Sequence, residues 1–389
     1  MQVRVDTSDR LVLTALLEGE PLTRPELADR TGLSKPTVSE AVRRLEQTAL
    51  VSEAGVRRGR PGRVPTYYTL APAAGFVVAV DIGGDNLRVT AADLTGEQHV
   101  ERRQASRGSG AGPVIGQAVE MIQAALDETG DQYGPLRRLV VSAPGVVHAD
   151  GRTVSTAYNI GEDGPFDLVG PIERSTGVPV VVDNNVNMAA VGERWRGLGR
   201  EVPTFAFVAV GAGIGMGLVY DGELVRGAHG AAGEVAYLPL PGAPPAAERY
   251  GRGREQLVAE AGGYRMLDGV RRARQWSGPR PDTVQQLFAQ AAGGVAEARE
   301  LVEDEGRQIG LTVASACAVF DPELVVLGGG IGSNPLLLPL VRNTVESLVP
   351  FPPRVEISSL GEVASLTGAL AVALRLARRE LLAGLVDGA

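Results

Sequence analysis

Residues 9–50 carry three short helical patterns, and only a tight glycine turn separates the second from the third. The first pattern runs from Asp9 to about Glu18 and ends at Gly19. Thr23 is placed to cap the second helix, with Glu26 three residues later as in a capping box. The apolar residues recur at helical spacing, and those of the first helix are Leu11, Val12, Leu13, Ala15, Leu16 and Leu17.

A third helix is predicted to start after Ser34, which can cap it, and to bury Val38, Ala41, Val42 and Leu45. Helix, short glycine turn and helix together are typical of a helix-turn-helix, whose last helix enters the DNA major groove with its amino-terminal residues at the base edges. Exposed basic residues occur on any helix, so a plain surface role is the alternative for Lys35, Arg43 and Arg44. The predicted base-edge contacts are Ser34, Lys35, Thr37, Ser39 and Glu40, with Arg43 and Arg44 nearer the DNA backbone.

Residues 57–63 read RRGRPGR, with four arginines and no acid. They separate residues 50–53 from the strand pattern of residues 64–70, which predicts a hairpin with a basic turn, that is, a wing. Arginines on a glycine- and proline-rich loop suit a narrow minor groove or its flanking phosphates. A solvated loop is the alternative, and the preceding helix-turn-helix makes it less favourable. The predicted wing contacts are Arg57, Arg58, Arg60 and Arg63.

Charge is distributed unevenly along the chain. Residues 1–70 have a net charge of +2 and the remainder −10, within a total of −8. An acidic body would turn the basic end towards DNA, an effect that salt screens. Lys35 is the only lysine, so a Walker A loop and a catalytic lysine in the body are excluded.

A length of 389 residues with 44% hydrophobic content predicts two or three globular domains. The longest apolar stretches have five to eight residues, against about 20 needed to cross a bilayer, and no signal segment is evident, so we expect a soluble cytoplasmic protein. Cys317 is the only cysteine and there are three histidines. This excludes disulfides within the chain and a cysteine-rich zinc site.

Three strand patterns run into glycine turns, which predicts an α/β body. The first covers residues 76–84 and is followed by a second strand over residues 86–93; the others cover residues 204–217 and 324–332. Neither of the last two completes the dinucleotide fingerprint GxGxxG, because its sixth position holds Met216 in one and Ser333 in the other. A Rossmann dehydrogenase is therefore disfavoured.

The motifs of this chain and their order make it resemble the ROK family of repressors, open reading frames and kinases along nearly its whole length. The resemblance implies a winged helix-turn-helix over residues 1–70, then an α/β actin-like (sugar kinase/ribonuclease H-like) ROK domain over residues 71–389. Its two lobes would cover about 75–195 plus the C-terminal helix, and about 196–370. After the winged helix the motifs are DIGG (81–84), SAPG (142–145), YNI (158–160), NNVN (184–187) with GE (192–193), the second glycine turn, RGAHGAAGE (226–234) and LGGG (327–330).

Departures from the family's kinases predict a domain without a catalytic residue. In those kinases an Asn-Asp pair supplies the general base, and here the pair aligns with Asn184 and Asn185, so an amide stands at the base position. Asp183, two residues before Asn185, would lie about 6–7 Å away along a strand. Asp85 after the first glycine turn would repel a nucleotide phosphate, and Ala212 stands where a threonine is common. Ordinary drift in an active enzyme is the alternative.

The family's zinc pattern is missing, so the resemblance implies neither a metal nor another cofactor. Tyr237 follows the Gly-Glu motif where zinc-binding members have a histidine, and residues 239–253 contain no cysteine. The family's sugar cradle is partly kept, although its polar residues could instead satisfy one another. The predicted ligand contacts are Asn159, Asn184, Asn185, Glu234, Tyr237 and Gln256, the last with an uncertain register.

These features predict a transcriptional regulator, a repressor that binds a palindromic DNA operator as a homodimer or homotetramer. The effector would be a sugar bound in the cleft between the two lobes of the ROK domain. Closure of this cleft would change the distance between the winged helices of two subunits. Two alternatives stay open: a regulator with no small-molecule effector, and an active ATP-dependent sugar kinase with a regulatory head. No membrane partner is expected.

Overall fold

A computed structural model of the protein describes residues 7–54, 65–108, 110–155, 157, 160, 164–238 and 262–384. No helix in these ranges combines the length and apolar character needed to span a membrane. The helices are α1 (Thr7–Leu17), α2 (Arg24–Thr31), α3 (Lys35–Gln47), α4 (Ala111–Thr129), α5 (Val169–Thr176), α6 (Asn185–Arg196), α7 (Gly263–Arg272), α8 (Val284–Ala292), α9 (Ala296–Phe320), α10 (Gly329–Gly332), α11 (Leu337–Leu348) and α12 (Ala364–Gly384).

The described strands form four sheets. Two of them are small: in the winged-helix sheet β3 lies between β1 and β2, and the other has the order β10-β9-β8. The strands are β1 (Leu22–Thr23), β2 (Val51–Glu53), β3 (Tyr67–Leu70), β4 (Phe76–Ile82), β5 (Asn86–Asp93), β6 (Gln98–Ala105), β7 (Leu136–Ala143), β8 (Val146–Val147), β9 (Thr153–Ser155), β10 (Phe166–Asp167), β11 (Val180–Asn184), β12 (Phe205–Val210), β13 (Ile214–Tyr220), β14 (Glu223–Val225), β15 (Leu324–Gly328) and β16 (Arg354–Ile357).

The three predicted amino-terminal helices are confirmed, with one difference in α1. The side chains expected to line the inner face of α3 are all buried. In α1, Leu11 is 40% exposed, because the inner stripe instead includes Asp9, Val12, Leu13 and Leu16 at positions i, i+3, i+4 and i+7. An acidic residue thus occupies the apolar face of this helix.

Local chemistry sets the ends of α2 and α3 as the sequence predicts. Thr23 caps α2 in a capping box with Glu26, and hydrogen bonds from the Thr23 backbone and hydroxyl lower the pKa of Glu26 despite an opposing effect of burial. Gly32 closes α2 in the left-handed conformation with φ 71°. Ser34 then caps α3, its Oγ accepting the Thr37 N–H at 3.3 Å. These caps fix the short turn of a helix-turn-helix.

The body contains two five-stranded sheets with the same topology. Their orders are β11-β7-β4-β5-β6 and β14-β13-β12-β15-β16. In each sheet, three strands that are consecutive in the chain pair antiparallel, as the β4–β5, β5–β6, β12–β13 and β13–β14 pairings show. Two later strands extend the sheet on the other side of the first of these three. This repeated arrangement is the predicted actin-like, ribonuclease H-like architecture, and it is confirmed.

The chain forms two compact units. One comprises residues 1–141, 167–182 and 369–389, and the other comprises 142–166 and 183–368. This grouping assigns α6 to the second unit, whereas the predicted lobe boundary follows that helix near residue 195. The domain limits of 1–70 and 71–389, with lobes at about 75–195 and 196–370, stay predictions.

Within the second unit, α6 and the start of α12 approach at two glycines. A Cβ on Gly192 would overlap the Ala364 carbonyl oxygen, and one on Gly368 would overlap the Met188 carbonyl oxygen. The glycines let the two backbones come into direct contact. This contact holds α6, whose amino terminus carries Asn184 and Asn185.

A Gly368→Ala substitution is expected to lower the free energy of unfolding by about 1–3 kcal/mol, because backbone rather than a flexible side chain occupies the space for the methyl group. Gly116→Ala in α4 is the matched control, since a Cβ added there would meet nothing within 4 Å; it should be neutral or stabilise by up to about 1 kcal/mol. Urea unfolding of both variants measures the difference. Equal stability of the two would show that the helices separate at little cost.

Candidate functional site

The outer face of α3 presents several of the predicted DNA contacts. Lys35 and Arg43 are exposed, whereas Thr37 and Ser39 are partly exposed. Lys35 has no hydrogen-bond or ion-pair partner among the described residues. Ser34 is exposed, but its Oγ lies 2.7 Å from the Thr37 Oγ1. These two hydroxyls therefore stabilise the start of α3. Contacts from this face to DNA remain a prediction.

Arg44 points inward, unlike its neighbour. Its guanidinium bonds the Asp9 carboxylate through Nε at 3.1 and 3.0 Å and through Nη2 at 2.7 Å, and it also bonds Ser8 Oγ at 3.1 Å. The Asp9 side chain is 1% exposed and that of Arg44 is 19% exposed. This ion pair joins α1 to the recognition helix, and we propose this structural role for Arg44 in place of the predicted contact with the DNA backbone.

The two strands of the predicted wing are present. β2 pairs antiparallel with β3, with Val51 opposite Leu70 and Glu53 opposite Tyr68. Arg24 of α2 lies over the Tyr68 ring at 5.0 Å from its centroid, a cation–π contact that secures β3 to the helices. The predicted wing contacts Arg57, Arg58, Arg60 and Arg63 lie outside the described residues.

In the second unit, the Asn-Asn pair lies where β11 meets α6. Asn184 caps the helix: its Oδ1 accepts the Val186 and Asn187 N–H groups at 2.8 and 3.2 Å. Its Nδ2 donates to the Gly145 carbonyl at 2.8 Å. Both ends of the amide are thus bonded within the protein, and we propose that Asn184 shapes the site in place of the predicted sugar contact.

Asn185 starts α6 and is partly exposed. Its side chain has no hydrogen-bond partner among the described residues. An amide at a helix amino terminus can donate and accept hydrogen bonds, as hydroxyl groups require, but it does not take up a proton near neutral pH. Asn185 therefore suits binding a polyol and does not suit deprotonating one.

Asp183 is engaged rather than available. Its Oδ2 accepts from Arg226 Nε and Nη2 at 2.9 and 2.8 Å. Its Oδ1 accepts the Asn184 N–H at 2.8 Å and the Asn187 Nδ2 at 3.2 Å. These four hydrogen bonds, two of them from a cation, engage both oxygens of the carboxylate with the protein. Asp183 thus links β11 to α6 and to Arg226.

Glu234 carries a carboxylate that is available to accept hydrogen bonds from a ligand. Burial raises the pKa of its carboxyl group, and the side chain has no hydrogen-bond partner among the described residues. A ligand with hydroxyl donors would relieve this desolvation cost. Tyr237, three residues later, is 43% exposed, so its ring is accessible to a ligand. Asn159 and Gln256, also predicted to contact the ligand, lie outside the described residues.

Close contacts bring four motif segments of this unit together. Asn184 reaches Gly145, Arg226 reaches Asp183, and the Met216 N–H donates to the Gly233 carbonyl at 3.0 Å. Gly233 has φ 86°, and a Cβ there would overlap the Met216 carbonyl. The residue before Glu234 must therefore be glycine. These bonds thus join segments that lie far apart in the sequence, among them the two that carry Asn185 and Glu234.

The glycine turns differ in how they are engaged. Asp85 in the first turn has an exposed side chain, and its carbonyl accepts the Ser106 N–H at 2.9 Å. In the second turn, the Gly211 carbonyl accepts the Gly263 N–H at 2.8 Å. Glu305 accepts the adjacent Gly262 N–H at 2.6 Å. Burial raises the pKa of Glu305 to about 7. Hydrogen bonds within the protein thus hold the second glycine turn in place.

Among the described residues, Asp93, Glu97 and His99 are the group whose ligand atoms lie within 4.8 Å of one another. Asp93 Oδ1 accepts the backbone N–H groups of Thr95, Gly96 and Glu97. Its Oδ2 lies 2.9 Å from His99 Nε2. These bonds close the turn that follows β5. They account for the cluster without an ion. The predicted metal-free loop, residues 239–253, lies outside the described residues.

Three residues that shape these sites were not predicted as site residues. Asp9 could have been noticed as an acid on an apolar helical stripe. Arg226 belongs to a motif used for the resemblance, but nothing in the sequence pairs it with Asp183. The Gly145 carbonyl is a backbone group, and its role follows only from the fold.

Sequence profiles divide the chain into two parts. A profile of the ROK family matches residues 77–376. A profile of the MarR family matches residues 5–60. The second match covers α1 to α3 and β2, which confirms the predicted winged helix-turn-helix.

Related proteins include both regulators and enzymes. The xylose repressor of Bacillus subtilis is 25% identical over 88% of this chain and 87% of its own length. A glucokinase of Halalkalibacterium halodurans is 27% identical over 69% of this chain and 84% of its own. The crystal structure of a ROK family transcriptional regulator, a homologue of the E. coli MLC protein, superposes with a TM-score of 0.75, at 20% identity over 97% of this chain and 98% of that one. Since the ROK profile spans most of its length, the protein belongs to the ROK family.

Proposed function

We propose that this protein is a DNA-binding transcriptional repressor whose sugar-kinase-like domain senses a sugar or sugar derivative and does not transfer phosphate. The observation that carries the proposal is the base position: Asn185 occupies it, and the nearest carboxylate in sequence, Asp183, is bound to Arg226. Loss of a general base typically slows a reaction by about 10²–10⁴-fold. Such a site can still bind its ligand.

The MarR-type domain supports DNA as the partner. Its recognition helix exposes Lys35 and Arg43, while Val38, Ala41, Val42 and Leu45 are buried. Relatives named xylose repressors, such as that of Bacillus subtilis, align with both domains. We infer a palindromic operator bound by a dimer or higher homo-oligomer, with half-sites about 34 Å apart or a multiple of that.

The unit containing Asn185 and Glu234 supports a polyol as the effector. A partly buried carboxylate with a raised pKa and an amide without a partner among the described residues offer acceptors and donors for hydroxyl groups. We infer that sugar binding changes the affinity for DNA, because the ligand binds more tightly to one of two states. In this proposed regulation of DNA binding, neither ATP nor a metal has a role.

Active sugar phosphorylation is the second candidate, and the glucokinase relative favours it. Incubating the purified protein with ATP and a panel of hexoses tests it. We expect no sugar-dependent ATP consumption above the background. Consumption that depends on one sugar would contradict the proposed loss of catalysis.

Reversing the wing charge is expected to weaken DNA binding about 100-fold or more, because two phosphate-neutralising arginines become repulsive. The change is the double substitution Arg58→Glu and Arg60→Glu, measured by fluorescence anisotropy on a duplex enriched by the protein from a random pool. The control makes the same charge change in α7, where Arg271 and Arg272 are 69% and 79% exposed. Equal affinities for the two double variants would refute the wing assignment.

A further inference from the structure

The outer face of the recognition helix carries an acid and a base that are bonded to each other. Arg43 donates to the Glu40 carboxylate through Nε at 3.2 Å and through Nη2. The two side chains are 56% and 50% exposed. The bond to Arg43 holds the pKa of the Glu40 carboxyl below its usual range, so the carboxylate is charged at neutral pH. The pair forms a planar, preorganised unit facing solvent.

Packing fixes which way this unit faces. Val38, Ala41, Val42 and Leu45 are buried on the opposite side of α3. Arg44 also lies inward on Asp9, with its Nη1 3.7 Å from Glu40 Oε1. Glu40 and Arg43 are therefore on the side of the helix that enters a major groove.

A carboxylate on a DNA-binding face weakens attraction to phosphates, so its presence there calls for a compensating role. In the major groove a carboxylate accepts a hydrogen bond from cytosine N4, and an arginine donates to guanine O6 and N7. These groups lie side by side on the edge of a single C·G base pair. An acid hydrogen-bonded to an arginine presents the complementary pattern.

We propose that Glu40 and Arg43 act together to read a C·G base pair in each half-site, with Glu40 on the cytosine and Arg43 on the guanine. This inference rests on the proposed function as a DNA-binding regulator. It moves Arg43 from the DNA backbone, where the sequence placed it, to the base edges. Glu40 also keeps the guanidinium extended before DNA arrives, which reduces the ordering cost of the contact.

The test is selection of duplexes from a random double-stranded pool by the full-length protein, followed by the same selection with Glu40→Gln and with Arg43→Ala. The wild type should enrich a motif with a fixed C·G pair in each half-site. Arg43→Ala should reduce the preference for guanine there about 10- to 100-fold. Glu40→Gln should move the preference at the cytosine towards adenine, because a glutamine pairs with adenine N6 and N7.

Arg30→Ala is the matched control, because Arg30 forms an exposed ion pair with Glu18 at 3.0 Å in the same domain. It should leave the enriched motif unchanged. Melting temperatures of all variants should match the wild type, since the substituted side chains are exposed. If both α3 variants enrich the wild-type motif with uniformly weaker binding, the pair does not read bases and the inference is overturned. If the wild type enriches no motif, the proposed function itself fails, and the inference with it.

Discussion

An Asp9→Asn variant is expected to lose DNA binding, because its winged helix-turn-helix unfolds at temperatures where the wild-type domain is stable. The substitution removes the buried counter-charge of Arg44, since the Asp9 side chain is 1% exposed, and leaves only the half-exposed Glu40 carboxylate at 3.7 Å. Breaking a buried pair in this way typically costs about 3–5 kcal/mol, comparable to the whole stability of a small domain. Limited proteolysis and DNA anisotropy on the same sample would detect both effects.

A second variant separates packing from DNA contact. Replacing both members of the pair, by Asp9→Leu with Arg44→Met, removes the charges together, which is often neutral for stability. We expect the double variant to regain the fold and most of its DNA affinity. A double variant that folds but does not bind would show that Arg44 contacts DNA after all. Glu18→Gln, at a surface ion pair whose acid is 62% exposed, is the control and should cost at most about 1 kcal/mol.

Glu234→Ala is expected to weaken sugar binding about 10- to 100-fold, because hydrogen bonds to a charged group contribute roughly 1.5–3 kcal/mol each. The measurement is isothermal titration calorimetry with whichever sugar raises the melting temperature of the wild type. Glu223→Gln is the matched control, since this glutamate is exposed on β14 of the same unit. Equal loss in both variants would contradict a specific role for Glu234.

The same contact gives sugar binding a pH dependence with a defined sign. Burial raises the pKa of Glu234 in the free protein. Hydroxyl donors favour the charged carboxylate, so binding should release a proton, and affinity should fall as the pH drops through that raised pKa. In Glu234→Ala this dependence should disappear. A wild-type affinity that does not change with pH would show that the carboxylate does not meet the sugar.

Local patterns predicted the winged-helix elements well, because short-range chemistry sets their limits. The Thr23 capping box, the Gly32 turn and the Ser34 cap are each made by residues within a few positions of one another. The alternation of buried strands and glycine turns likewise predicted the strands at 76–82, 86–93 and 324–328. After the second glycine turn, β13 pairs antiparallel with β12. The sequence alone does not show this pairing.

The polar residues of the candidate sites were less predictable, because their partners are distant in sequence. Arg44 looked like any exposed arginine, and its role depends on Asp9, 35 residues away. Asn184 was predicted as a sugar contact, and only the fold shows that its amide bonds the Gly145 carbonyl. Asp183 could be judged available or not only once Arg226 was seen to bind it. In each case the residue type was informative, but the contact required the tertiary structure.

The central claim, that a sugar without ATP controls DNA binding, is tested most directly by measuring DNA affinity in the presence of candidate effectors. Anisotropy with an enriched duplex would be recorded against hexoses, pentoses, amino sugars and their phosphates, each with and without ATP. We predict that at least one sugar changes the DNA dissociation constant about fivefold or more, with no further change and no consumption when ATP is added. If no sugar alters DNA binding, or if the effect requires hydrolysis of ATP, the claim is contradicted.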